Sequence, residues 1–433
     1  MFATHSTVHG SSVTGLRDEF ARFDVATARE LLEFAVDLDA QDDRLRMGVD
    51  ARFEASGGLR LRPSSGGEAP AESYWPQYHD RWQMLVDTRL QYADGVKRST
   101  DREPSWDGDD PSRNGFGPFA NAWILARGKQ ANVASDGEDL PTYVVAIRGT
   151  VFSSAPSVVE DLFANTIVAS HLAKDSFGTP LRLAFAQTPG AEIHAGFAYA
   201  CLSTLFDRQF GLVRALEVIP ESRLNVLLTG HSQGAAMATL LHAFFRYAIA
   251  DNRLLKGKTI VLGSYVFAQP KPGNALFAAD FDRMRERDGG SFTVNNSLDP
   301  VPALPLTRQA LDDLSRELPR ASWIDKLINA IDRPARMARR WFSSKLDREI
   351  VNFVGSEDLL LDPTRQAFLR AKACAFAPGW SRNFAPAGTP VWLTGDPDVS
   401  DGPNGGSDPF VQHHATTYRT LLGRDELHVR SHK

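Results

Sequence analysis

A serine flanked by two glycines gives the clearest chemical signal in this chain. Gly230-His231-Ser232-Gln233-Gly234 follows an apolar run typical of a buried strand and precedes an alanine-rich helical pattern. A turn this tight between strand and helix requires glycine two residues before and after the serine, because side chains there would collide. The turn holds the hydroxyl clear of the backbone, near the positive end of the helix dipole. The motif therefore predicts that Ser232 is a nucleophile.

A nucleophilic serine needs a base and an orienting carboxylate, and in strand-turn-helix sites of this kind the acid precedes the histidine in the chain. Of the histidines beyond the serine, His242 lies within the helix that follows the turn. His428 and His432 lie in a charged terminal tail, where fraying is expected. The pair His413 and His414, just before a short helical pattern, remains. Either of them could be the base, and we favour His413.

The acid is expected on a loop at the carboxyl end of a sheet strand. Asp299 lies in the loop 296–302, which follows the apolar run 291–295 and precedes both candidate histidines. An aspartate before a proline is also common in ordinary turns. The position of Asp299 between a core strand and the histidines favours it as the residue that orients the base.

Short apolar runs around these residues are typical of strands buried on both faces of a mostly parallel sheet. These runs cover residues 143–147, 225–229, 259–267 and 291–295, with a further short strand expected at 390–393. Helical patterns are found at residues 25–38, 82–96, 197–206, 235–250 and 277–287. The alternation of strand and helix predicts an α/β fold with a mostly parallel central sheet flanked by helices.

We expect one domain over residues 1–433. Its parts are an N-terminal helical and loop region (1–118), a core (119–306), a helical insertion or cap (307–389) and a C-terminal segment with the histidine (390–433). Residues 54–73 are expected to form a loop or a loose hairpin, and 98–118 a surface loop. The insertion is basic and rich in tryptophan, and Pro334 must break or kink its helices. It is expected to pack as an embellishment of the core, with a cap over the site or an interfacial surface as the alternatives.

Composition adds few constraints. With a formal net charge of −5 over 433 residues, the chain has no global attraction to nucleic acid. Its two cysteines, Cys201 and Cys374, form neither a disulfide framework nor a metal-binding pattern, and we expect small buried apolar side chains there. No metal or organic cofactor is expected.

The sequence carries no visible secretory signal and no apolar run of the roughly 20 residues that a membrane-spanning helix needs. The expected location is the cytoplasm, although a secreted protein whose signal had been removed would look the same. Oligomeric state is left open.

Four blocks in order resemble the fungal-type class 3 lipases of the α/β-hydrolase superfamily. The blocks are the strand 144–150, the segment 193–197 (V-H-x-G-F in that family), the serine turn with its helix, and 267–274 (F-G-x-P-R-V-G-N), followed by Asp299-Pro300-Val301-Pro302. The resemblance covers about residues 143–306 and the histidine segment. Gln233 departs from it, because the family usually has an apolar residue there, and so does Lys271-Pro272, which replaces Arg-Val.

The resemblance implies an α/β-hydrolase fold and hydrolysis of carboxylic esters, of acylglycerol or other lipid type, through an acyl-enzyme. It implies that backbone N–H groups of Thr150 and Gln233 form the oxyanion hole, while Arg148 and His194 are structural. Residues 151–169 occupy the place of the family's lid, whose apolar side chains meet a lipid–water interface on opening. A helix packed on the core is the alternative for this segment.

Two alternatives to an acylglycerol lipase are considered. The same machinery would serve another acyl substrate, such as a phospholipid, a galactolipid, a thioester or a polyester. The other alternative is a catalytically silent lipase-like module that binds acyl ligands. Against it, every triad position has a candidate residue and both glycines of the serine turn are present. A protease is disfavoured because the blocks match lipases.

Overall fold

A computed structural model describes residues 23–39, 49–53, 59–63, 81–88, 122–129, 132–133, 139–149, 166–174, 180–206, 211–251, 254–284, 290–304, 384–399 and 411–424. The helices in these ranges are α1 (Val25–Asp39), α2 (Ala195–Phe206), α3 (Leu212–Glu217), α4 (Gln233–Asp251), α5 (Ala275–Met284) and α6 (Ala415–Leu422). Short 3₁₀ helices lie at Val301–Ala303 and Val411–His413.

The strands are short, and many are buried on both faces. They are β1 (Val49–Phe53), β2 (Leu59–Pro63), β3 (Trp82–Asp87), β4 (Trp123–Gly128), β5 (Asn132–Val133), β6 (Asp139–Leu140), β7 (Thr142–Ile147), β8 (Thr166–Val168), β9 (Ser170–Lys174), β10 (Pro180–Ala184), β11 (Glu192–His194), β12 (Arg223–His231), β13 (Thr259–Phe267), β14 (Gly273–Asn274), β15 (Ser291–Asn296), β16 (Phe384–Ala385) and β17 (Thr389–Leu393).

The central sheet of the described part has seven strands in the order β17-β15-β13-β12-β7-β4-β3. The pairs β7–β12, β12–β13, β13–β15 and β15–β17 are parallel, whereas β4 and β3 join one edge antiparallel. The carboxyl ends of the parallel strands therefore lie side by side at one end of the sheet. The serine turn follows β12 and the Asp299 loop follows β15, so both lie at this carboxyl end.

Helices cover both faces of the sheet, because successive side chains of a strand point to opposite sides. Tyr143 and Val145 of β7 join the core cluster that contains α2, α3 and α4. Val144 and Ala146 join a second cluster, which contains α1 and α6. The sequence-based prediction of a mostly parallel sheet flanked by helices is confirmed, and this is the architecture of the α/β-hydrolase fold.

Most of the predicted elements are confirmed. The apolar runs correspond to β7, β12, β13, β15 and β17, and the helical patterns at 25–38, 197–206 and 235–250 correspond to α1, α2 and α4. The pattern at 277–287 corresponds to α5, which ends at Met284. The antiparallel pair β1–β2 fits the loose hairpin that was one of the two expectations for residues 54–73.

The predicted helix over residues 82–96 is wrong in its described part. Residues 82–87 form strand β3, which pairs antiparallel with β4 and has a bulge between Met84 and Val86. The apolar residues of this segment fit either a helical or an extended repeat, and pairing with β4 decides the outcome. Strand β4 was not predicted either. Residues 89–96 lie outside the described ranges.

The predicted domain boundaries remain a prediction, because little of the insertion at 307–389 is described. Its last residues, 384–389, contain β16 and the start of β17, so this end is extended and not helical. The loop predicted at 98–118 and the second cysteine, Cys374, lie outside the described residues. Cys201 is buried in the core, as expected. No helix in the described ranges is long and apolar enough to cross a bilayer.

Helix α1 packs against α6, the helix that follows the candidate histidines. The Arg29 Nε atom donates a hydrogen bond to the Leu422 carbonyl oxygen at 2.6 Å, next to the carboxyl end of α6. Arg419 of α6 forms an ion pair with Glu33 of α1 at 3.3 Å. An N-terminal element outside the lipase-like blocks thus holds the segment that carries His413.

A buried carboxylate ties α5 to the turn before β11. Asp280 accepts hydrogen bonds from the backbone N–H groups of Gln187 and Thr188 and from the hydroxyls of Thr188 and Tyr247, and it pairs with Arg283. Burial acts to raise the pKa of this carboxyl. The hydrogen bonds outweigh burial, and the pKa of Asp280 lies below its usual value.

Asp280→Asn is expected to lower the free energy of unfolding at pH 7 by about 2 kcal/mol, because charge-assisted hydrogen bonds are lost. A carboxyl with a depressed folded-state pKa stabilises the fold above its unfolded pKa of about 4, and this contribution disappears as the pH falls through the folded pKa. Urea unfolding at pH 7, 4 and 3 measures both effects. The difference between wild type and variant is expected to shrink toward pH 3, and a constant difference would contradict the assignment.

Candidate active site

The serine turn is strained. Strand β12 ends at His231, helix α4 begins at Gln233, and Ser232 between them has a φ of 57°, a conformation that is unfavourable for a residue with a side chain. The Ser232 N–H donates to the Phe267 carbonyl oxygen of β13 at 3.0 Å, which anchors the turn to the neighbouring strand.

Both glycines of the turn are required by close backbone contacts. A Cβ atom at Gly230 would lie 2.5 Å from the backbone of Gly234, and one at Gly234 would lie 2.3 Å from the Ile147 carbonyl oxygen. Real Cβ atoms essentially never approach backbone this closely. The collision argued from the sequence pattern is therefore confirmed, and it involves β7 as well as the turn itself.

Three side chains from distant parts of the chain form a hydrogen-bonded row. The Ser232 Oγ atom lies 2.8 Å from His413 Nε2, and His413 Nδ1 lies 2.9 Å from Asp299 Oδ2. All three residues are buried, with 7%, 3% and 7% of Ser232, His413 and Asp299 exposed. A buried base held between a hydroxyl and a carboxylate is the arrangement that activates a serine for attack on an acyl carbon.

The Asp299 carboxylate is held by the backbone and by a second side chain. Its Oδ1 atom accepts a hydrogen bond from the Val301 N–H at 2.9 Å, and its Oδ2 atom accepts one from the Tyr418 hydroxyl at 2.7 Å. Burial, together with the negative charge of Asp299, raises the pKa of Tyr418 well above its usual value. Tyr418 therefore keeps its proton and donates a hydrogen bond to the carboxylate.

Tyr418→Phe is expected to lower kcat for an ester substrate about tenfold, with KM little changed, since one charge-assisted hydrogen bond to the orienting carboxylate is lost. The ring stays and continues to fill the core. Steady-state kinetics on a soluble ester, with thermal unfolding as a control for folding, measures the effect. An unchanged kcat in a folded variant would mean that His413 and Val301 suffice to hold Asp299.

The structure separates the two candidate histidines. His413 is buried and reaches both Ser232 and Asp299, whereas His414 is half-buried and occupies the N-cap position of α6. His242 lies in the core, with its Nδ1 atom 2.9 Å from Ser264 Oγ. His428 and His432 lie outside the described residues.

One more imidazole packs against the row and was missed in the sequence. The ring of His231 lies 4.8 Å from that of His413 and 5.6 Å from that of Tyr418, measured between centroids. The position before the nucleophile was visible in the sequence, but its contact with the base depends on how α6 crosses the end of β12. Tyr418 was missed for the same reason, since no motif marks it.

The predicted oxyanion hole is described in part. Gln233 is buried and is the first residue of α4. At the amino end of a helix the first backbone N–H groups have no partner within the helix and point out of that end. Thr150 lies outside the described residues, as do residues 151–165 of the predicted lid. Residues 166–168 at the end of that segment form strand β8 and pair with β11, so this part is not helical.

The structure describes both residues that were expected to be structural, Arg148 and His194. His194 is fully buried, accepts a hydrogen bond from the Phe197 N–H at 3.3 Å, and stacks on the Phe197 ring. The Arg148 N–H donates to the Ala122 carbonyl oxygen at 2.9 Å, between β7 and β4. Within the described ranges no group of His, Cys, Asp and Glu side chains is arranged to hold a metal ion.

Comparisons with known proteins find one matching family and several similar solved structures. Residues 144–309 match the family model described as Lipase (class 3). Among solved structures, M37 lipase is 16% identical, with 70% of this chain and 71% of that chain covered and a TM-score of 0.36. A mutant form of MDLA from Penicillium cyclopium is 18% identical, with 65% and 74% covered and a TM-score of 0.34. A structure described as fungal lipases is 17% identical, with 68% and 76% covered and a TM-score of 0.32.

Proposed function

We propose that this protein hydrolyses carboxylic esters of lipids through an acyl-enzyme formed on Ser232, and the match of residues 144–309 to the class 3 lipase family model supports this proposal. The family match supports a carboxylic ester hydrolase of the lipase type. The proposal that the reaction proceeds through an acyl-enzyme on Ser232 rests on the buried row Ser232–His413–Asp299, whose two hydrogen bonds are 2.8 and 2.9 Å long.

In the proposed reaction His413 is the base and Asp299 orients it. The Ser232 Oγ atom attacks the ester carbonyl carbon while its proton moves to His413 Nε2. The resulting imidazolium is stabilised by the Asp299 carboxylate, which is held by Val301 and Tyr418. The proton then passes to the leaving alcohol, and water enters to hydrolyse the acyl-enzyme by the same steps.

The negative charge that develops on the carbonyl oxygen needs preorganised donors. The backbone N–H of Gln233, at the amino end of α4, lies on the residue after the nucleophile and is proposed as one donor. Thr150 is proposed as the other. We also propose that the protein binds at a lipid–water interface, because the substrates of the matched family are lipids.

Hydrolysis of para-nitrophenyl butyrate and para-nitrophenyl palmitate tests the proposed activity. We expect turnover of at least one of these esters and covalent labelling by a fluorophosphonate, which reacts with activated serines. Emulsified substrates with glycerol, phospholipid or galactolipid head groups then resolve the substrate class. A folded protein that binds acyl chains yet neither turns over nor is labelled would instead be the silent module.

A further inference from the structure

A buried asparagine connects the two loops that carry the acid and the base. Asn296 is the last residue of β15, three positions before Asp299, and it is 0% exposed. On one side its Oδ1 atom accepts a hydrogen bond from the Leu298 N–H at 3.1 Å, within the acid loop. On the other side its Nδ2 atom lies 2.9 Å from both the backbone oxygen and the side-chain oxygen of Gln412. Gln412 directly precedes His413.

The orientation of this carboxamide is fixed by its partners. Only an oxygen can accept the Leu298 N–H, and only an NH₂ group can donate to the two oxygens of Gln412. The Asn296 backbone N–H in turn donates to the Tyr418 hydroxyl at 2.9 Å. One residue therefore contacts the acid loop, the residue before the base, and the tyrosine that holds the acid.

Nearby residues of the same chain leave room for the Asn296 side-chain amide and fix its partner. A Cβ atom at Gly395 would lie 2.4 Å from Asn296 Oδ1, so glycine leaves the room that the side chain needs. The Gln412 Nε2 atom donates to the Asp396 carbonyl oxygen at 2.8 Å, which fixes the other end of that side chain. Because protein interiors disfavour unsatisfied polar groups, a fully buried amide with all these bonds made specifies a single geometry.

We propose that Asn296 is a positioning residue for the reaction: it sets the distance between the Asp299 loop and the His413 segment and thereby aligns the base between its two partners. The inference rests on the proposed function for its effect on turnover. It assigns to Asn296 no contact with substrate. Its effect is expected in the chemical step and not in substrate binding.

Asn296→Asp is the most informative variant. It keeps the shape of the side chain and the oxygen that accepts a hydrogen bond from the Leu298 N–H. It replaces the NH₂ group with an oxygen that faces the two oxygens of Gln412. Since small misplacements of reacting groups are costly, kcat on para-nitrophenyl butyrate is expected to fall on the order of 10²-fold with KM changed less than about threefold. Gln412→Ala removes the side-chain acceptor and the Nε2 hydrogen bond to Asp396 but keeps the backbone acceptor for Asn296, and it is expected to lower kcat about fivefold.

Ser297→Ala is the matched control. Ser297 lies in the same loop and its Oγ atom accepts a hydrogen bond from the Gly395 N–H at 2.9 Å, but it does not join the two segments. Its kcat is expected to stay within about twofold of the wild type, since an exposed hydrogen bond contributes little. Thermal unfolding of each variant shows whether it is folded at the assay temperature.

A second readout does not need turnover. The His413 Nδ1 proton, shared with Asp299, gives a low-field proton NMR resonance that reports this hydrogen bond directly. We expect the resonance in the wild type and in Ser297→Ala, and its loss or displacement in Asn296→Asp. If the wild type and Ser232→Ala are equally inactive, the proposed function fails and this resonance alone decides the positioning role.

The outcomes separate the two claims. A wild type that loses activity on Ser232→Ala, together with a folded Asn296→Asp of unchanged kcat and unchanged resonance, would overturn the positioning role and leave the function intact. If Asn296→Asp does not fold, Gln412→Ala decides, and an unchanged kcat and resonance there would overturn the role. Loss of kcat without a change in KM, together with the altered resonance, supports it.

Discussion

Replacing Ser232 with alanine is expected to lower kcat for ester hydrolysis by at least about 10⁴-fold, because the acyl-enzyme can no longer form. The residual rate would come only from groups that bind the ester and stabilise charge. The fold is expected to survive, since the strained turn carries a smaller side chain and the Ser232 N–H bond to Phe267 belongs to the backbone. Kinetics on para-nitrophenyl butyrate, with thermal unfolding alongside, measures both expectations.

Fluorophosphonate labelling provides the control for this variant. The wild type is expected to gain one adduct by mass spectrometry, on the peptide that contains Ser232, and the variant none. Turnover of the variant close to that of the wild type would place the nucleophile elsewhere and remove the basis of the proposed mechanism.

Replacing His413 with alanine is expected to have a similar effect, a loss in kcat of about 10⁴-fold, since the group proposed to take the serine proton is removed. The imidazole is the one group that contacts both Ser232 and Asp299 in the described structure. The same variant is expected to be labelled by fluorophosphonate far more slowly than the wild type. Steady-state kinetics on para-nitrophenyl butyrate, alongside Ser232→Ala, measures the loss.

His414→Ala is the matched comparison, because the two histidines are neighbours with different surroundings. His414 caps α6 without a side-chain hydrogen bond to the helix. A loss of no more than about fivefold is expected, which is within the range of a weakened helix start. If His414→Ala were the more damaging of the two, the assignment of the base would be reversed.

The position of the proposed nucleophile, Ser232, was predictable because the geometry of its turn is largely local. A strand, a turn and a helix that follow one another within a short stretch determine the position of Ser232, and a Cβ atom at Gly230 would collide with Gly234, four residues further on. The requirement for glycine at 234 is not local, because a Cβ atom there would collide with the backbone of Ile147 and Arg148 across the sheet. Asp299 was predictable for a related reason, since the order of parallel strands places its loop at the same carboxyl end of the sheet.

The supporting residues were not predictable in this way. Tyr418 and Asp299 are 119 positions apart, and Asn296 and Gln412 are 116 positions apart. Their contacts depend on where α6 begins and on how it crosses the sheet, and neither is encoded in a short pattern. The strand β3 was misassigned because its pairing with β4 outweighs an ambiguous local repeat.

The packing of α1 on α6 has a consequence for biosynthesis. Arg29 and Leu422, which join these helices, are 393 positions apart, and Ser232 precedes His413 by 181. At a translation rate of 5–20 residues per second, a ribosome needs roughly 10–40 s to progress from the nucleophile to the base. A nascent chain in that interval contains Ser232 and Asp299 but not His413. The hydrogen-bonded row is therefore completed only late in synthesis, when α6 emerges and docks on α1, which was made long before.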